Sequence, residues 1–244
     1  MRDLRDTVAV VTGGARRLGA AIALAFADVG CHVAINYRTS ASDAEATAAA
    51  ARATGVQAIT VQADAACATD VTRLLDSVLA TFQRVDILVT NAGTFRRTPI
   101  DSASAADWDE MLANNLRATF LCAQRFGLYM RAHIGGSIIT LADVAGLHPW
   151  PDYLPYSIAK AGVIGLTHAL AKALAPTVRV NAIAPGPVLF PDDVDPALRQ
   201  REVARTLLQR EGRPIDVADA VLALARNDYI TGVVLPVDGG RTLT

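Results

Sequence analysis

The feature that most constrains this 244-residue chain is a repeated alternation of short apolar runs with longer helical stretches. Thr7–Val11, His32–Asn36, Ala58–Val61, Asp86–Thr90, Ser137–Leu141 and Val178–Ile183 read as strands, and Val233–Val237 as a short last one. Most are near-continuous Val/Ile/Leu runs, the signature of parallel strands buried on both faces. Between them, helical patterns run from the first Gly-rich turn to about Val29, over Ser40–Thr54, Ala68–Phe82, Asp107–His133 and Tyr156–Ala175. Such alternation demands a parallel sheet with helices on both sides, and its ligand belongs at the carboxyl ends of the strands. The expectation is an α/β fold: one doubly wound domain over residues 1–244, with about seven strands.

Composition removes several function classes. Apolar residues make up 52% of the chain, too many for a disordered protein. Basic and acidic residues number 23 and 24, without the basic excess of a nucleic-acid binder. Three scattered cysteines argue against a disulfide framework and fit a cytoplasmic setting. Neither they nor the four histidines show metal-ligand spacing. No long apolar run suggests a signal peptide or a membrane span.

Five segments carry chemistry. Thr12–Gly19 (TGGARRLG) follows the first strand and opens a helix, where small residues and free helical N–H groups suit a pyrophosphate. The second strand runs into Tyr37, Arg38, Thr39 and Ser40. It offers a guanidinium and two hydroxyls where an NAD site often has a carboxylate, and Arg16 adds a second cation nearby. That favours a 2′-phosphate, and so NADPH. Tyr156 and Lys160 stand one helical turn apart, and the chain has only two lysines, so an ammonium beside a phenol is expected to lower its pKa. Asp143 precedes them. Ionised, it opposes the lysine; protonated, it donates or holds a substrate amino group. Asn91, Ala92 and Gly93 end the fourth strand and admit a cofactor edge, with Phe95 following.

Together these segments, with Asp64, Asn115 and Pro185-Gly186, resemble the short-chain dehydrogenase/reductase family over nearly the whole chain. The family pattern has Gly where this chain has Arg17 and Ser where it has Asp143. Both departures, with Phe95, Asn36–Ser40, Asp192-Asp193 and the ending Val237–Leu243, look like the pteridine reductase branch. That resemblance implies NADPH-dependent hydride transfer to a C=N bond of a pterin or folate. It implies catalytic roles for Asp143, Tyr156, Lys160 and Asn115, and a pterin held by Arg17, Phe95, Tyr153, Asp143 and Tyr156. It also implies cofactor contacts from Gly13, Arg16, Arg17, Leu18, Gly19, Asp64, Ala65, Asn91–Gly93, Lys160, Pro185, Gly186 and Val188.

The competing readings are a reductase of 3-oxoacyl thioesters or small ketones, and a non-catalytic NADP(H) sensor. An ordinary ketone wants a neutral donor pair at its oxygen, which an ionised Asp143 does not give. Residues 185–213 are expected to form a substrate lid. The long helices carry apolar residues on several faces, including Phe120, Phe126, Leu128 and Met130, and the family resemblance implies a homotetramer.

Overall fold

A computed structural model describes residues 3–190 and 194–244. Asp192 and Asp193 lie outside the described residues. Seven parallel strands form one sheet in the order β3-β2-β1-β4-β5-β6-β7. They are β1 (Val8–Thr12), β2 (His32–Tyr37), β3 (Ala58–Gln62), β4 (Ile87–Thr90), β5 (Gly136–Leu141), β6 (Val178–Pro185) and β7 (Val234–Val237). Every pair is parallel, with Ala9 beside both Val33 and Ile87.

The apolar runs are continuous because each strand feeds two cores. Side chains alternate across a strand with period two. Ala9 and Val11 enter one core, with α1 (Arg17–Asp28), α2 (Ala41–Arg52) and α9 (Pro214–Arg226). Val8 and Val10 enter the other, with α3 (Ala68–Phe82), α5 (Ala118–Ala132) and α7 (Leu154–Leu174). Ile139 and Ile138 divide β5 in the same way. The doubly wound expectation therefore holds, and four of the five expected helices form as single helices.

Three helices go beyond the sequence reading: α6 (Val144–Leu147), α8 (Pro196–Ala204) and α9. The first two are short. The signals for α9 are present, with Pro214 in its first turn and Val217, Val221 and Leu224 buried on one side. The helix expected over Asp107–His133 is instead three pieces: α4 (Ala105–Met111), a π-helical segment (Leu112–Arg117) and α5. Within α5, Phe126 and Met130 enter the core, while Phe120 and Leu128 stay about 40% exposed. Among the described residues no helix is long and apolar enough to cross a membrane.

The strand order reverses between β1 and β4, and there the phosphate-type turn meets the end of β4. The approach is close. A Cβ on Gly19 would sit 2.2 Å from the Gly13 carbonyl oxygen and 2.6 Å from Asn91 Nδ2. On Gly165 of α7 it would meet nothing within 4 Å. Gly19→Ala is expected to destabilise the fold by about 1–3 kcal/mol through overpacking. Gly165→Ala is expected to stabilise it by about 0.4–1 kcal/mol, by restricting the unfolded chain. Urea unfolding of both variants checks the opposite signs.

Candidate active site

At the switch point an open cleft of about 390 Å³ runs across the carboxyl edge of the sheet. Its floor is the turn after β1, with Gly13, Arg16, Arg17, Leu18 and Gly19. Tyr37, Arg38, Thr39 and Ser40 line one end, beside Asp64 and Ala65 after β3. Asn91, Ala92 and Gly93 close the other side. These expected residues are thus brought together by four separate strand ends.

Backbone accounting explains the shape. Asn91 Nδ2 donates to the carbonyls of Thr12 and Gly13, both at 3.0 Å. The Ala92 N–H donates to Thr12 Oγ1 at 3.0 Å. Asn36, which the sequence reading named only as the start of Asn36–Ser40, is 2% exposed and ties three segments. Its Oδ1 accepts from the Gly13 N–H at 3.3 Å, and its Nδ2 donates to the Ala63 carbonyl at 2.9 Å. A buried amide in an otherwise apolar strand was the available signal, because such a group must find partners.

The α1 N-terminus faces this cleft, and its N-cap residue Arg16 supplies no side-chain acceptor. Unsatisfied first-turn amides with a glycine cradle fit the pyrophosphate of a dinucleotide. Arg17 adopts φ 54°, the left-handed region that favours glycine. Its guanidinium turns toward the segment after β6 and donates to the carbonyls of Leu189 and Phe190. Arg38 Nη1 lies 3.9 Å from Asp64 Oδ2 and remains 55% exposed. Pro185 ends β6 and the Gly186 N–H donates to the Val237 carbonyl, while Val188 bridges to Gly212.

A second cluster lies beyond β4 and β5. Asp143 is the N-cap of α6, its Oδ1 accepting from the Ala145 N–H at 2.8 Å. Its Oδ2 accepts from the Tyr156 hydroxyl at 2.8 Å. Lys160 Nζ donates to the Leu141 carbonyl at 2.8 Å and stands 5.6 Å from the centre of the Tyr156 ring. Asn115 lies in the π-helical segment, where Nδ2 donates to the carbonyls of Thr94 and Met111. Its Oδ1 is buried without a partner. A Cβ on Gly93 would come within 2.5 Å of that oxygen, so glycine there keeps the approach open.

Electrostatics correct one expectation. Burial, then the Asp143 charge and hydrogen bond, push the Tyr156 phenol well above its usual value instead of below it. The ammonium of Lys160 bonds a backbone carbonyl and does not reach the hydroxyl. Burial raises Asp143 above the ordinary carboxylate value, although Ala145, Lys160 and Tyr156 oppose the shift. Burial also lowers Lys160 to about 8, with Asp143 opposing. The direction of the Asp143 shift leans toward the proton-holding role, in which the Asp143 charge no longer acts on Tyr156.

Phe95 is 45% exposed and stacks on Tyr153, with ring centres 4.6 Å apart. Trp150, whose direction the sequence left open, meets both rings edge-on.

Residues 13–242 match the family described as Enoyl-(Acyl carrier protein) reductase. A 3-oxoacyl-[acyl-carrier-protein] reductase of Synechocystis is 40% identical over 248 residues, covering 100% of both chains. Among solved structures, a short-chain dehydrogenase/reductase from Serratia marcescens superposes with a TM-score of 0.93 at 32% identity, covering 99% of this chain and 100% of that one. An NAD+-bound xylitol dehydrogenase gives 0.92 at 27%, covering 98% and 100%.

These relatives overturn the pterin or folate substrate, because a relative 40% identical over the whole chain is named for 3-oxoacyl reduction. The residues that suggested a pterin have other work. Asp143 caps α6, Arg17 holds two backbone carbonyls and Phe95 packs into a ring cluster.

Proposed function

Because the chain belongs to the short-chain dehydrogenase/reductase family and is an oxidoreductase that uses a nicotinamide cofactor, we propose that it reduces the ketone of 3-oxoacyl thioesters with NADPH. The observation that carries this reading is a part-buried hydroxyl–carboxyl pair, Tyr156 and Asp143, beside the dinucleotide-shaped cleft.

The cofactor supplies hydride to the ketone carbon. The chain supplies the rest. Asp143, holding its proton, and Tyr156 form a donor pair for the ketone oxygen, and Tyr156 delivers a proton to it. The positive charge of Lys160 offsets the phenolate left behind. Asn115 Oδ1, buried and unpartnered, is the acceptor placed to support proton resupply to Lys160. Gly13, Leu18 and Gly19 cradle the pyrophosphate. Asn91–Gly93, Pro185, Gly186 and Val188 border the nicotinamide end.

Arg38, with Arg16, Thr39 and Ser40, supports the choice of NADPH, since a guanidinium and hydroxyls suit a 2′-phosphate. Tyr37 and Ala65 then flank the adenine end. In this reading residues 185–213 act as a substrate lid on the single domain, held at one edge by Arg17.

The test follows NADPH absorbance with an acetoacetyl thioester, beside NADH. Turnover preferring NADPH is expected. Arg38→Ala should narrow the preference by about 10- to 100-fold, the worth of one charge-assisted hydrogen bond. Absence of any turnover rejects the substrate reading, and an unchanged preference rejects the role of Arg38.

A further inference from the structure

Beside the Tyr156 ring stands a wall of aromatic rings that proton and hydride transfer do not require. Phe95 follows β4, while Trp150 and Tyr153 come from the segment between α6 and α7. Phe95 and Tyr153 are stacked, 9° from parallel. Trp150 meets Phe95 at 84° and Tyr153 at 76°. Phe95 also meets the Tyr156 ring at 80°, with centres 4.9 Å apart.

The wall is held from behind by the backbone. The Thr98 N–H donates to the Asp152 carbonyl at 2.7 Å, and Arg97 pairs with the Asp152 carboxylate at 2.9 Å. The Trp150 N–H donates to Ser157 Oγ at 3.1 Å. Two loops are thereby fixed to each other, yet Phe95 still presents 45% of its surface. A pre-positioned, partly exposed ring cluster is complementary to another flat π-system, which gains aromatic contact without ordering a flexible chain. A saturated acyl tail has many rotors to immobilise and no ring to match.

We propose that this site prefers 3-oxoacyl substrates whose ketone carbon bears an aryl or other flat conjugated ring, with Phe95 as the specificity-determining residue. The proposal rests on the carbonyl-reduction reading above. A ring bonded directly to the ketone carbon lies beside the carbonyl that Tyr156 engages, and so falls against Phe95. In the step, the ketone carbon gains hydride and its oxygen gains the Tyr156 proton. The C=O bond becomes a secondary alcohol as the reduced cofactor is oxidised. The ring itself is unchanged.

The experiment measures kcat/KM for the 3-oxo-3-phenylpropanoyl and acetoacetyl thioesters of N-acetylcysteamine, in the native enzyme, Phe95→Leu and Phe95→Tyr. The two substrates differ in intrinsic reactivity, but that difference cancels when their ratio is compared between enzymes. Phe95→Leu is expected to lower the aryl-to-alkyl ratio by about 2- to 12-fold, the range of one aromatic pair. Phe95→Tyr, which keeps the ring, should restore it. Because Phe95 is exposed, both variants are expected to fold, and thermal unfolding checks this. A ratio unchanged in Phe95→Leu overturns the proposal and leaves carbonyl reduction standing. Reduction of neither thioester overturns both.

Discussion

Replacing Tyr156 with Phe is expected to lower kcat/KM for the acetoacetyl thioester by about 10²- to 10⁴-fold, the range of a positioned general acid. The Tyr156 hydroxyl is the group placed to protonate the ketone oxygen, and it lies 2.8 Å from its carboxyl partner. The ring is buried against Met111 and Ala145, so Phe fills the same space. NADPH fluorescence should show that the cofactor still binds, because the cleft residues are untouched. Turnover within tenfold of the native enzyme would show that another group delivers the proton.

The second large effect belongs to Asp143 and is read from pH. A carboxyl that holds its proton donates to the ketone oxygen, whereas a carboxylate repels the developing negative charge. Burial raises the Asp143 value. The native kcat/KM should therefore fall as pH rises through that raised value, above the ordinary carboxylate range. A further fall belongs to Lys160 near pH 8, where its ammonium is lost. Asp143→Ser supplies a donor at every pH and removes the first fall. On the alkaline side of that step the Ser variant should be faster by about 10²-fold, the worth of one oxyanion donor. Superimposed profiles, or a Ser variant slower throughout, would contradict this. Stability follows the same sign. The folded Asp143 value exceeds the unfolded one, so its contribution is whole below the unfolded value and lost as pH rises through the folded one. Asp143→Ser should flatten that part of the Tm-against-pH curve.

Much of this fold is written in local pattern. Each strand is apolar throughout because both of its faces are covered, and Val8/Val10 against Ala9/Val11 shows the division residue by residue. The cleft is legible for a related reason: its residues follow strand ends, where the chain must turn and side chains meet the ligand side. What escaped detection depends on distance in three dimensions. Asn36 matters because it joins the turn after β1 to the segment after β3. The direction of the Tyr156 shift needed the burial of its hydroxyl and the approach of Asp143, which spacing along a helix does not fix. The π-helical segment around Asn115, whose side chain bonds the Thr94 and Met111 carbonyls, leaves no periodic mark.

The substrate branch went astray for a physical reason. Arg17 and Asp143 depart from the family pattern, and both were given, with Phe95, to one ligand. In the structure they serve three different neighbours: a helix N-terminus, two loop carbonyls and an aromatic cluster. A residue's departure from a family pattern marks a changed environment before it marks a changed substrate.

The most direct test of the central claim is the fate of the hydride. NADPH carrying deuterium at C4 of the dihydronicotinamide, supplied in each of its two configurations, is incubated with the enzyme and an acetoacetyl thioester, and the product is analysed by mass spectrometry. The account predicts a 3-hydroxybutanoyl thioester with one deuterium at C3 from one of the two labelled forms. It also predicts near-complete loss of that product in Tyr156→Phe. No 3-hydroxy product from either form, or a product without deuterium at C3, would contradict the claim that this cleft and the Asp143–Tyr156 pair constitute a ketone-reducing centre.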